Sequence, residues 1–225
     1  MPLDVQRIRA LCFDVDGTLR DTDDQYAATF ERLFRPIRFL LPGRDSRAFA
    51  RRFVMAVETP VNWLYSLPDR FGIDDEIVGL GEWLHEKGLG KRDHHYLLIE
   101  GVHDMLARLA ARYPLAVISA RPRRGTHAFL QHFDLTRFFT CVASAQTTPR
   151  TKPWPDPVLW AARQMKVAPE ECLMVGDTTV DIRAGRAAGA QTVGVLCGFG
   201  EQKELENAGA DLILEQTAQL AKVLA

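Results

Sequence analysis

Six short apolar runs constrain the fold of this chain more than any other feature: Ala10–Phe13, Leu115–Ile118, Thr140–Ala143, Cys172–Val175, Thr192–Leu196 and Asp211–Leu214. Each is four or five residues long, which suits strands buried on both faces, and most give way at their end to a small or acidic residue. Between the later runs lie helical patterns. Val102, Met105, Leu106 and Leu109, for example, repeat at i, i+3, i+4 and i+7 and so form one apolar stripe. Alternation of this kind predicts an α/β layer fold with a parallel sheet.

The interval from about residue 20 to about residue 100 breaks the rhythm. It reads as several helices without a convincing strand, punctuated by Pro42-Gly43, Thr59-Pro60, Leu67-Pro68 and Gly88 to Gly90. The expected organisation is therefore a core of residues 1–20 and 101–225 with a helical module, 21–100, inserted after the first strand. Charge in that module is uneven. Residues 31–52 hold seven arginines against Glu31 and Asp45, a net of +5, whereas in residues 58–86 seven acids oppose Arg70, a net of −6. Such runs suit either a basic face that attracts an anionic substrate or two solvated helix faces. Trp63, Trp83, Phe49 and Phe53 read as the apolar core of the module, and His94-His95 as a polar linker.

The chain has 225 residues, 47% of them hydrophobic and 25% charged, with a formal net charge of −1. That balance creates no global field for nucleic acid or an anionic membrane. No apolar run approaches the ~20 residues needed to span a bilayer. The start, Met1-Pro2-Leu3-Asp4, lacks the basic and apolar pattern of a secretion signal, so a cytoplasmic protein is expected. Cys12, Cys141, Cys172 and Cys197 are far apart and form no C-x-x-C pair, which argues for buried thiols over a zinc or redox site.

Chemistry concentrates at the ends of the apolar runs. The first delivers Asp14-Val15-Asp16-Gly17-Thr18, two carboxylates and a glycine turn at the edge where open α/β sheets bind ligands. Crowded like charges are costly unless a cation offsets them, so the pair suggests a metal. A second pair, Asp177 and Asp181 in Gly176-Asp177-Thr178-Thr179-Val180-Asp181, follows the fourth run. If a helix begins near Asp177, both acids share one side of its first turn. Oxygen-only ligands suit a hard cation such as Mg2+. Ser119, with the N–H groups that follow it, and Lys152, stiffened by Pro153, could bind the phosphate that these acids alone would repel. Each signal taken alone has an ordinary reading as a turn or a surface lysine. Their order along the chain, each beside a predicted strand or helix, is what points to an enzyme.

In that order, DVDGT, Ser119, Lys152 and GDTTVD resemble the four motifs of the haloacid dehalogenase superfamily of hydrolases, over residues 8–19 and about 101–215. The resemblance implies a Rossmann-like parallel sheet sandwiched by helices, with Asp14 on its central strand. The long interval after the first motif is similar to the helical cap of the phosphoglycolate phosphatase and β-phosphoglucomutase branch. By the same likeness Asp14 is the nucleophile and Asp16 the general acid and then base. Asp14, Asp16 (through its carbonyl) and Asp177 are the Mg2+ ligands, with Asp181 behind them. Ser119, Ala120 and Lys152 hold the phosphoryl group. The implied activity is hydrolysis of a small phosphorylated metabolite through an aspartyl phosphate. A mutase, or a regulatory protein that binds phosphate without turnover, is compatible with the same motifs, whereas a dehalogenase would need neither Asp16 nor Mg2+. One departure stands out. Many relatives carry Asn after the second-motif Ser or Thr, but here the chain reads Ser119-Ala120-Arg121, which adds a cation that could contact phosphate, the closed cap or only solvent.

Overall fold

The fold is taken from a computed structural model that describes residues 3–21 and 96–225. Residues 22–95, most of the interval expected to form a helical module, with its charge runs, its aromatic residues and His94-His95, lie outside the described residues.

Six strands follow the apolar runs to within one residue: β1 Ala10–Phe13, β2 Leu115–Ile118, β3 Phe139–Ala143, β4 Cys172–Gly176, β5 Gln191–Val195 and β6 Leu212–Leu214. The helices between them are α1 Val102–Ala110, α2 Arg123–His132, α3 Asp156–Met165, α4 Thr179–Ala187, α5 Gln202–Ala208 and α6 Leu220–Val223. All strand pairs are parallel, in the order β3-β2-β1-β4-β5-β6. The expected Rossmann-like α/β sheet is therefore present. Its order reverses between β1 and β4, and the carboxyl ends of strands at such a reversal frame a crevice suited to ligands.

Successive side chains of a strand face opposite ways, and here the two faces differ in size. Leu11, Phe13, Leu115, Val117, Leu173, Val175, Val193 and Val195 meet α1 and α6 on one side, where Val102, Met105, Leu106 and Leu109 form the predicted stripe. Ala10, Cys12, Ala116, Ala143 and Cys172 face α3 and α4. Small residues on that face let the helices come close. A Cβ on Gly185 of α4 would sit 2.7 Å from Thr192 Cγ2 and 2.8 Å from Met174 Cβ, so only glycine fits the contact. Each fully buried Leu or Phe of the larger face contributes roughly 1.5–3 kcal/mol to stability.

The loop after β1 is tied back on itself. Leu19 and Arg20 N–H both donate to Val15 O, at 2.9 and 2.8 Å, and Gly17 N–H donates to Arg20 O at 2.8 Å. The chain on the far side of the inserted interval pairs with this loop. Asp21 N–H donates to Leu97 O and Ile99 N–H to Leu19 O, both at 3.0 Å, with Arg20 and Leu98 forming an antiparallel bridge. The two ends of the interval are thus joined next to Asp16. Cys12 and Cys172 are buried as the sequence suggested, whereas Cys141 and Cys197 are only half-buried, and all four are free thiols.

Candidate active site

Parallel register sets the positions of the acids. Phe13 lies level with Val117 on β2 and Val175 on β4, so Asp14, the next residue, leaves the sheet beside Ile118 and Gly176. Its N–H still donates to Val175 O, at 2.9 Å. One residue further along the neighbouring strands come Ser119 and Asp177. Three of the four motifs are therefore brought to one edge by strand pairing alone.

Lys152 arrives from the loop between β3 and α3 and joins the cluster through its side chain. Its Nζ donates to Asp14 Oδ1 and, at 2.6 Å, to Asp181 Oδ1. All three residues are buried. Carboxylate oxygens of Asp14, Asp177 and Asp181 lie within 4.8 Å of one another. Burial pushes the Asp14 carboxyl up to about 8. Lys152 opposes that shift, and the negative charges of Asp181 and Asp16 add to it. Lys152 also pays for its burial, but Asp14 and Asp181 outweigh that cost and hold it firmly protonated. The donor set consists of hard carboxylate oxygens crowded beyond what a single ammonium neutralises, and such a set fits a divalent cation like Mg2+.

The structure corrects the reading of the second acidic pair. Helix α4 begins at Thr179 with Thr178 as its N-cap, so Asp177 lies before the helix instead of in its first turn. Asp181 Oδ2 accepts from Thr178 N–H at 3.1 Å and from Thr178 Oγ1 at 2.8 Å, which satisfies an N–H at the open start of the helix. Its other oxygen meets Lys152. Asp181 thus couples the start of α4 to the lysine.

Asp177 is fixed from another direction. Its Oδ1 accepts from Thr18 Oγ1 at 3.3 Å and its Oδ2 from Phe199 N–H at 2.8 Å. Glycines wall it in. A Cβ at Gly17, whose φ is +77°, would lie 2.2 Å from Asp177 Oδ2; one at Gly198 would lie 2.1 Å from the same atom; one at Gly200 would lie 2.0 Å from Asp177 O. Beneath this loop Thr217 Oγ1 donates to Thr18 O at 2.7 Å. Gly198 and Gly200 were not singled out from the sequence. The Gly-Phe-Gly that follows the fifth apolar run was the available signal.

Ser119 is buried at the end of β2, with its N–H donating to Ala143 O at 2.9 Å. Its Oγ accepts from Arg121 N–H at 3.1 Å, so the hydroxyl hydrogen is directed elsewhere. Ala120 is half-buried between the two. Asp16 differs from the other acids in being partly exposed, and two cations attend it. Arg121 Nε donates to Oδ2, and Arg20 Nη1 is 3.5 Å from Oδ1. Arg20 is itself buried and stacks over Tyr96 at 5.0 Å. No pattern in the sequence pairs Arg20 with Asp16. Its place is set by the tight loop that bridges it to Asp16.

With this geometry in view, comparison with known proteins is decisive for the family. The sequence profile of the haloacid dehalogenase-like hydrolases matches residues 11–195. The chain belongs to this family. Among curated relatives, phosphoglycolate phosphatase of Escherichia coli O157:H7 is 26% identical over 96% of this chain and 92% of its own length. Pyrophosphatase PpaX of Anoxybacillus flavithermus is 28% identical, over 96% and 97% respectively. A HAD family hydrolase from Deinococcus radiodurans, solved with bound phosphate and sodium, superposes with a TM-score of 0.69 at 26% identity, covering 97% of this chain and 96% of that one. These relatives agree with the expectation of an enzyme of the phosphatase type. No helix among the described residues is long and apolar enough to cross a membrane.

Proposed function

We propose that this hydrolase is a Mg2+-dependent phosphatase that cleaves a small phosphorylated metabolite through a phosphoryl group carried on Asp14. The observation that supports this most is the joining of Asp14 and Asp181 by Lys152 in a buried cluster beside Asp177, drawn from three separate stretches of the chain at one sheet edge. The phosphate and sodium bound to the Deinococcus radiodurans relative also support it.

Asp14 attacks phosphorus in this reading, and splitting the displacement in two avoids direct attack by water on a dianionic ester. Lys152 and the Ser119 hydroxyl hold the phosphoryl oxygens, and the N–H groups near Ala120 contribute at the same loop. Asp16 gives a proton to the departing ester oxygen and then takes one from the water that frees Asp14. Asp14 and Asp177, with the Asp16 carbonyl, would hold Mg2+, and Asp181 would steady Lys152. The bound ion would offset the repulsion between these carboxylates and the incoming phosphate.

The inserted interval is read as a helical cap of residues 21–100. The pairing of residues 19–21 with 97–99 supports this, because it joins both ends of the interval at the mouth of the cluster. Four free thiols suit a reducing compartment such as the cytoplasm. The test is a panel of small phosphate esters assayed with Mg2+ and with chelator. Phosphate release that needs Mg2+ is expected from at least one ester, and no release from any would reject the proposal.

A further inference from the structure

Two carbonyl oxygens of the loop after β1, those of Gly17 and Thr18, are met by side chains from the carboxyl-terminal part of the chain. Thr217, fully buried beyond the end of β6, donates its hydroxyl hydrogen to Thr18 O at 2.7 Å. Cys197, half-buried beyond the end of β5, has its Sγ 3.4 Å from Gly17 O and 3.2 Å from Thr217 Oγ1. Because the Thr217 hydrogen goes to Thr18, the thiol is the donor in its contact with Thr217, and its one hydrogen serves two acceptors. Among the described residues no backbone N–H reaches Gly17 O or Thr18 O. Neither Thr217 nor Cys197 belongs to the four motifs.

The loop they support presents two of the groups that would hold Mg2+. Thr18 Oγ1 donates to Asp177 Oδ1 at 3.3 Å, so a shift of Thr18 displaces a partner of that carboxylate. Gly17 lies so close that a Cβ on it would be 2.2 Å from Asp177 Oδ2. The Asp16 carbonyl shares a peptide unit with Gly17 N–H, which donates to Arg20 O at 2.8 Å. Such a unit is planar and rigid, so the direction of the carbonyl follows the position of Gly17. We propose that Thr217, with Cys197 beside it, is a positioning residue for the Mg2+ site. By anchoring Thr18 O and Gly17 O it keeps the Asp16 carbonyl and the Asp177 carboxylate in a fixed relation to each other. Mg2+ tolerates little departure from its preferred coordination, so a small movement of either group lowers affinity.

Three substitutions separate this role from simple filling of the core. Thr217→Val keeps the shape of the side chain and removes the hydroxyl, which leaves the buried Thr18 carbonyl without its donor. The loop regains a partner for that oxygen only by shifting, and Gly17 and Thr18 move with it. Thr217→Ser keeps the hydroxyl and removes the methyl group. Cys197→Ala removes a weaker donor from the same pair of carbonyls.

This inference rests on the Mg2+-dependent phosphatase reading, and titration of Mg2+ alone, followed by calorimetry, tests it without turnover. Loss of a group that orients a metal ligand typically costs about 10–100-fold in affinity, so Thr217→Val should weaken Mg2+ binding by about 10-fold or more. Thr217→Ser should bind Mg2+ like the unaltered protein, and Cys197→Ala should fall between the two. In phosphate release from a small ester, Thr217→Val should need correspondingly more Mg2+ for half its maximal rate, with kcat at saturating Mg2+ retained. A purely structural role predicts a lower Tm in chelator with unchanged Mg2+ affinity. That result, or failure of Thr217→Ser to restore affinity, would overturn the proposal. If Thr217→Val does not fold, Cys197→Ala decides alone, and an affinity equal to that of the unaltered protein overturns the proposal. Failure of the underlying reading looks different, because the unaltered protein would then bind no Mg2+, and the proposal would fall with it.

Discussion

Replacing Lys152 with methionine keeps most of the side chain's volume and removes the ammonium between Asp14 and Asp181. Breaking a buried ion pair from one side typically costs about 3–5 kcal/mol, because the remaining charge has lost its partner and is still cut off from water. For a protein of this size that corresponds to a fall in Tm of roughly 6–20 °C. The cost should depend on pH, and its sign follows from Asp14. The native carboxyl is pushed up to about 8 by burial, with Asp181 and Asp16 adding to the shift, against an ordinary value of 3.8. The folded state therefore holds this proton more tightly than the unfolded state. The contribution of Asp14 to stability is fully present below pH ~4 and declines as pH rises through the window up to about 8. Lys152 works against the shift, so its removal extends the window upward and steepens the loss at high pH. Urea unfolding in chelator, followed by tryptophan fluorescence at pH 5 and pH 8, measures this directly. We expect about 3–5 kcal/mol at pH 8 and clearly less at pH 5. A loss below about 1 kcal/mol at pH 8, or one independent of pH, would refute the reasoning.

Other expectations can be checked singly. Gly198→Ala places a methyl group 2.1 Å from Asp177 Oδ2 and should displace that carboxylate, weakening Mg2+ binding measured by calorimetry about 10–100-fold while the far-ultraviolet circular dichroism is retained; unchanged affinity would mean that Asp177 does not hold the ion. Mg2+ should raise the Tm of the unaltered protein, by about 2.7 kcal/mol in stability at 100 times Kd, and more at pH 8 than at pH 6, since deprotonated Asp14 binds it better. The absence of any shift would argue against a resident divalent cation. Asp16→Ala should lose about 10²–10⁴-fold in turnover of an alkyl phosphate, and near-normal turnover would remove Asp16 from the proton-transfer role. Gly185→Ala should cost about 1–3 kcal/mol in urea unfolding by pushing α4 off β4 and β5; a neutral result would mean that the helix shifts freely.

The strands were legible because a sheet covered on both faces imposes continuous apolar runs, and the stripe of α1 was legible because its buried residues repeat with helical period. Asp14, Asp177 and Ser119 were legible for a related reason. Each follows a strand, and parallel pairing brings strand ends to one edge. The side chains' commitments were harder to read. The expected start of α4 lies two residues early because Thr178 is the N-cap and donates both its N–H and its hydroxyl to Asp181, bonds that a spacing argument between Asp177 and Asp181 overlooks. The pairing of Arg20 with Asp16 was not legible because it arises from a tight loop and not from periodicity. The glycine wall around Asp177 joins residues from the first and fifth strand ends, a contact between distant parts of the chain that no local pattern records.

The central claim is that Asp14 takes the phosphoryl group covalently. Acid quenching during turnover of a phosphate ester with Mg2+, followed by intact-mass and peptide analysis, tests it most directly. The account predicts one phosphoryl group on the peptide containing Asp14, and none, with no turnover, in Asp14→Asn. Unimpaired turnover in that variant, or a phosphoryl group on a different residue, would contradict it.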